Sequence, residues 1–96
     1  MVKPPIIMSP PANVSVLAVT TSILPANLSR RYAILVNDSV NNIYLAFGAP
    51  AVMNQGELLG ANGGIYEMVE DINLTTQAIN GINGVGASNV TVQEGV

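Results

Sequence analysis

Tyr32-Ala33-Ile34-Leu35-Val36-Asn37, then Asp38-Ser39-Val40-Asn41-Asn42, then Ile43-Tyr44-Leu45-Ala46-Phe47 form the stretch that decides the fold class. Successive side chains of an extended chain point to opposite faces, so Tyr32, Ile34 and Val36 share one side and Ala33 and Leu35 the other. Both sides are apolar, which predicts a central strand between two layers. Ile43, Leu45 and Phe47 recur at period two, with Tyr44 and Ala46 opposite. Asn and Asp tolerate left-handed backbone and bond their own main chain, so residues 38–42 read as a turn. Together the two runs predict a β-hairpin.

Toward the N-terminus, Val14, Val16 and Ala18 alternate with Ser15, Leu17 and Val19 in another β-branched segment, followed by a break at Leu24-Pro25-Ala26-Asn27-Leu28-Ser29. Residues 1–12 carry Pro4, Pro5, Pro10 and Pro11, four of the six prolines. Proline fixes φ and has no amide donor, so this part is expected to be an extended, polyproline-like arm. Its apolar Ile6, Ile7 and Met8 leave two readings open: a loose terminus, or an arm lying on its own domain or on a neighbouring subunit.

Toward the C-terminus, Glu57-Leu58-Leu59 reads as a short strand, Asn62-Gly63-Gly64 as a turn and Ile65 to Val69 as a strand. Ile72, Leu74, Thr76 and Ala78 alternate with polar residues, and Asn80 to Ala87 is a Gly/Asn-rich turn. Asn89 to Glu94 closes the chain with Val90 and Val92 on one face. No window shows helical periodicity, although Ala51 to Leu59 has room for a single turn of helix. The expected fold is all-β: a small antiparallel β-sandwich or barrel of six to seven short strands over residues 13–96, preceded by the Pro-rich arm. Its expected core is Ile34, Val36, Ile43, Leu45, Phe47, Leu74, Val90 and Val92.

The composition narrows function. Only 9% of the 96 residues are charged and 49% are hydrophobic, against about 25% charged in an ordinary soluble domain. Charge keeps lone domains apart, so such a chain is expected to work packed against neighbours. The only cations are Lys3, Arg30 and Arg31, and the net charge is -3, too little basic surface to neutralise a run of phosphates; nucleic acid is not an expected partner. The apolar runs are too short to cross a bilayer, so no membrane is expected either. The start Met1-Val2-Lys3-Pro4-Pro5 lacks the apolar core of a signal peptide, so synthesis in the cytoplasm is expected.

Catalysis is not expected. Cysteine and histidine are both lacking, which removes the thiolate nucleophile, the usual general base and the usual transition-metal ligands. Glu67, Glu70 and Asp71 lie close together, but their spacing fits no calcium loop, and a solvated turn is the better reading. Gly81, Gly84 and Gly86 precede a strand rather than a helix, so no phosphate-binding loop is read there. No catalytic, cofactor-binding or metal-binding residue is assigned. Asn-x-Ser/Thr occurs at Asn13, Asn27, Asn37, Asn73 and Asn89; chance explains these in so Asn-rich a chain. Arg30 and Arg31 read either as a solvated pair flanking a strand or as interface residues, with Asp38 or Glu57 as candidate ion partners.

The segment from Leu24 to Ser39, continuing through Ile43-Tyr44-Leu45-Ala46-Phe47-Gly48, resembles a pattern of small tailed-phage virion proteins. In it a loop with Asn and Arg enters an apolar strand ending in Asn-x-Ser. Gly63-Gly64-Ile65-Tyr66-Glu67 and the final strand Asn89 to Glu94 are similar to later parts of that pattern. The resemblance implies a non-enzymatic β-sandwich on a virion: a capsid decoration (cement) protein, a capsid-fibre part or a head–tail accessory protein. The arm departs from the pattern. The expected partners are further copies in a homo-oligomer, with a trimer among the candidate states, and a major capsid or other virion protein; no cofactor is expected. Pro4, Pro5, Ile6, Ile7, Met8, Arg30 and Arg31 are the candidate interface residues. Two alternatives remain: a carbohydrate- or receptor-binding module built around Tyr66 and Glu67, and a surface-layer or pilus-type subunit.

Overall fold

The computed structural model describes residues 2–96. Eight strands follow one another: β1 (Ala12–Val16), β2 (Thr21–Leu24), β3 (Tyr32–Asn37), β4 (Ile43–Phe47), β5 (Glu57–Leu59), β6 (Ile65–Val69), β7 (Ile79–Ile82) and β8 (Ser88–Gly95). They form two four-stranded sheets, in the orders β1-β8-β3-β6 and β2-β7-β4-β5, and every pairing is antiparallel. The first strand pairs with the last, the second with the seventh, the third with the sixth and the fourth with the fifth. A single long ribbon, with β4 and β5 at its tip, is thus rolled up until β3 also meets β8 and β4 also meets β7. That is the jelly-roll arrangement of a double-sheet β protein.

The all-β expectation holds, with eight strands rather than six to seven. The added strand is β2, Thr21–Leu24, just before the expected break, and two further segments change places. Ile72 to Ala78 alternates in hydropathy but forms turns and irregular chain, whereas the Gly/Asn-rich Ile79–Ile82 is a full strand between β2 and β4. Gly81 faces the core there, where an added Cβ would stand 2.8 Å from Ile23 Cδ1 and 3.3 Å from Ile43 Cγ2. Glycine at this point lets the two sheets approach, a use of glycine distinct from turn formation.

The expected hairpin of β3 and β4 does not form, because the two strands lie in different sheets. The intervening turn carries the chain across. Asn37 is buried, and its Nδ2 donates to the carbonyls of Asn41 (2.7 Å) and Leu59 (2.9 Å). The Ser39 hydroxyl donates to Asn37 Oδ1 at 2.6 Å. Period-two alternation reports that a segment is extended and half-buried; it carries no information about which strand lies beside it.

The core lies between the sheets: Val16, Ile23, Leu24, Ala33, Leu35, Ile43, Leu45, Leu59, Met68, Ile79, Val90 and Val92, with Val14, Phe47, Tyr66 and Leu74 packed at its margin. Ile34 and Val36 are not part of it. The inward residues of β3 are Ala33, Leu35 and Asn37, so its second apolar side looks outward and is only half-buried. Among the described residues no strand or helix packs over that face.

Adjacent strands run in opposite directions, so connections alternate between the two ends of the sandwich. One end gathers the loops after β1, β3, β5 and β7 and is held by amides. Asn83 donates from Nδ2 to the Val16 carbonyl at 2.7 Å and accepts from the Val85 and Gly86 amides. The opposite end gathers the loops after β2 and β6 together with the N-terminal segment and the end of β8. Lys3, Arg30 and Arg31 all lie there. The loop after β4 folds back toward the amide end, where the Ala51 amide donates to Thr20 Oγ1 at 2.8 Å and Met53 stands beside Gly84.

Candidate interaction surface

Arg30 is the largest fully buried side chain of the protein. Its guanidinium lies inside the charged end, with Nε donating to Glu94 Oε2 at 2.5 Å, Nη1 to the carbonyls of Thr75 (2.8 Å) and Gln77 (2.9 Å), and Nη2 to the Pro25 carbonyl (2.8 Å). The planar fork of donors suits such a set of fixed acceptors. Arg30 therefore ties together the β2–β3 loop, the β6–β7 loop and β8. It is neither solvated nor turned toward the surface, and its ion partner is Glu94 instead of Asp38 or Glu57.

Arg31 is the more accessible of the two. Its Nε meets both carboxylate oxygens of Glu70, at 3.1 and 3.0 Å, and Nη1 donates to the Pro4 carbonyl at 2.7 Å. Lys3 pairs with Asp71 and, at 3.5 Å, with Glu70. Of the acidic group read as a solvated turn, Glu70 and Asp71 take ion partners, while Glu67 and Asp71 stay exposed. Glu67 accepts the Tyr32 hydroxyl at 2.5 Å. The hydrogen bond from Arg31 holds the Glu70 carboxyl below the usual glutamate range, that to Glu67 raises the Tyr32 phenol, and that to Asp71 raises the Lys3 ammonium.

These contacts seat the N-terminal segment on its own domain. Ile7 and Val96 exchange backbone hydrogen bonds of 2.7 and 3.0 Å, the Ser9 amide donates to the Glu94 carbonyl at 2.8 Å, and Met8 faces Gly95 across the ladder. Gly95 has no side chain to obstruct this: a Cβ there would stand 2.5 Å from Ile6 Cγ2 and 2.6 Å from Met8 Sδ. From Met8 to Ala12 the segment advances four residues while β8 recedes three, from Gly95 to Val92. Pro10 and Pro11 occupy that one-residue slip, where their missing amides leave no ladder bond unmade. Candidate residues Pro4 to Met8 and Arg31 thus come together at one end, while Arg30 lies beneath them. Ile7 (67%) and Val2 (94%) remain exposed.

The outer face of the first sheet presents a second surface. Val36 lies beside Ile65 and Tyr32 beside Val69 across the β3–β6 ladder, with Ile34 between them next to Glu67. Ile65 is 63% exposed. The outer positions of the second sheet, Tyr44, Ala46, Leu58, Asn80 and Ile82, carry no charge. At the amide end, Val40, Asn41, Asn42, Tyr44, Met53, Asn54, Gly84 and Val85 line an open hollow of about 320 Å³. Tyr66, the aromatic expected to be offered to a sugar, instead turns inward against Phe47, ring centres 5.4 Å apart.

Three of the Asn-x-Ser/Thr asparagines have structural work: Asn27 Oδ1 accepts from the Ser29 amide at 3.0 Å. Asn37 is buried. Asn73 lies at the free edge of β6, where its Oδ1 accepts from the Val69 amide (2.7 Å) and its Nδ2 donates to the Glu67 carbonyl (2.8 Å). A side-chain amide so placed occupies part of an edge that another strand would otherwise extend. Among the described residues no group of three acidic, histidine or cysteine side chains is placed to hold a metal ion, and no helix is long and apolar enough to cross a membrane.

The fold defines a small jelly-roll β-sandwich. Beyond that class, no protein-family model, no curated protein and no solved structure matches the chain.

Proposed function

We propose that this protein is a non-enzymatic virion assembly subunit, of the capsid decoration, cement or head–tail accessory kind. In this reading it stabilises a particle by contacts with its own copies and with a major capsid or other virion protein, repeated by symmetry. The observation that carries the reading is the uncovered apolar face of β3. Ile34, Val36 and neighbouring Ile65 spend three large aliphatic side chains on a surface where a solitary domain would place charge. The jelly roll adds support at the level of analogy, since viral capsid domains use it, as do lectins and cupins. The test is the state of association of the full chain beside an Ile34→Thr/Val36→Thr variant. Threonine keeps the β-branched shape that suits a strand. The variant is expected to stay folded and to lose association; unchanged association would count against this face.

The hollow at the amide end favours a second reading, a carbohydrate- or receptor-binding module. One aromatic ring, Tyr44, stands there beside the side-chain amides of Asn41, Asn42 and Asn54, a combination of stacking surface and neutral hydrogen-bonding groups suited to an uncharged sugar. Glycan-array binding lost in Tyr44→Ala would support it; silence across the array would remove it.

A further inference from the structure

We propose that residues 3–9 form an exchange arm, which in the assembled protein occupies the same seat on a second copy of this chain. The inference rests on the assembly reading above and names the contact that closes the assembly. Four observations point to it.

The seat is shaped for this segment. Gly95 leaves the space that Ile6 and Met8 fill, the Glu94 and Val96 backbones complete a ladder with Ser9 and Ile7, and Arg31 and Glu70 hold Pro4 and Lys3. The segment is joined to β1 through Pro10 and Pro11 alone, where the register slips by one residue. Two rigid prolines without amide donors let the arm leave β8 as a unit while β1 stays paired. Every contact runs between the arm and the body, so a second copy supplies the same set, and exchange loses none of them. Finally, on its own domain the arm leaves Ile7 67%, Met8 39% and Ile6 38% exposed. Between two bodies these side chains gain a second apolar wall, and that gain selects exchange over self-docking.

Cross-linking distinguishes the two placements. The chain has no cysteine, so an introduced pair reports one contact only. Met8 and Gly95 are directly opposed between two hydrogen-bonded pairs, where Cα atoms lie about 4.5 Å apart, within disulfide range. The full-length Met8→Cys/Gly95→Cys variant is oxidised in its native state and its covalent mass measured under denaturing, non-reducing conditions. A second variant, Ile7→Cys/Val96→Cys, probes the same seat through exposed side chains with Gly95 intact. Exchange gives disulfide-linked dimers or a closed multiple as the main product in both. A link confined within single chains overturns the arm inference: if the native mass is still oligomeric, the assembly reading stands without it, and if the native mass is monomeric, both fall.

Discussion

Replacing Arg30 by methionine should be among the most damaging single changes in this protein. The substitution keeps an unbranched chain of similar reach but removes the guanidinium that serves Glu94 and the carbonyls of Pro25, Thr75 and Gln77. Breaking a buried ion pair from one side costs about 3–5 kcal/mol, because the partner keeps its desolvation penalty. The three carbonyls also lose their donors, at about 1–3 kcal/mol each where water cannot reach them. These terms overlap, and Glu94 is partly accessible, so about 4 kcal/mol is expected for the whole change. That is a large share of the 5–15 kcal/mol typical of a small domain. With a urea m-value of about 1.5 kcal/mol/M, the midpoint should fall by roughly 3 M, followed by far-UV circular dichroism and tyrosine fluorescence. Arg30→Lys should recover little, since a single ammonium cannot span four acceptors. Arg31→Met, which loses only partly buried contacts at the rim, should move the midpoint far less. A loss below about 1 kcal/mol in Arg30→Met would refute the assignment of Arg30 as the tie across the charged end.

Other outcomes follow from the same geometry. The Glu70 carboxyl is held below its ordinary value by Arg31, so its contribution is present at neutral pH and fades as pH falls below about 4.5 through the lowered folded value. The raised Lys3 and Tyr32 groups contribute fully below about pH 10 and lose that contribution as pH rises through their folded values. NMR relaxation of the Ile7 amide should therefore show the N-terminal segment ordered at neutral pH and loosened near pH 3; equal order at both would contradict the role of the Glu70 contacts. Gly64→Ala places a Cβ 2.3 Å from the Gly60 carbonyl oxygen, a backbone collision worth about 1–3 kcal/mol, whereas Gly60→Ala, with nothing within 4 Å, should stay within about 0.5 kcal/mol of the parent. Tyr66→Ala should lower stability by about 2–3 kcal/mol through lost packing on Phe47; a stable variant would show that the ring contributes little to the core margin.

The sequence was readable where alternation and burial coincide. Val90 and Val92 alternate with Asn89, Thr91 and Gln93, apolar on one side only, and they face inward as expected. On β3 both sides are apolar, so composition alone could not say that Ala33 and Leu35 face the core while Ile34 and Val36 face out. The polar Asn37, in phase with Leu35, even pointed the wrong way, because its burial depends on carbonyls of Asn41 and Leu59 that only the folded chain brings near. β7 was hidden for a different reason. Asn80 and Gly81 have turn chemistry, and only the close approach of Ile23 and Ile43 explains a glycine in a strand. Arg30 and Arg31 look equivalent side by side, yet alternation sends them to different sides of the chain, one to buried acceptors and one to the rim. The acceptors of Arg30 come from residues 25, 75, 77 and 94, a convergence no local pattern encodes.

The central claim is that this jelly roll works as a repeated subunit whose apolar surfaces are covered by neighbours. Its most direct test is the absolute mass of the full chain in solution, by size-exclusion chromatography with light scattering across a concentration series, beside Ile34→Thr/Val36→Thr. A trimer, pentamer or other closed multiple in the parent, reduced to smaller species in the variant, is the expected result. A parent chain that remains a monomer at every concentration, with the variant indistinguishable from it, would contradict the account.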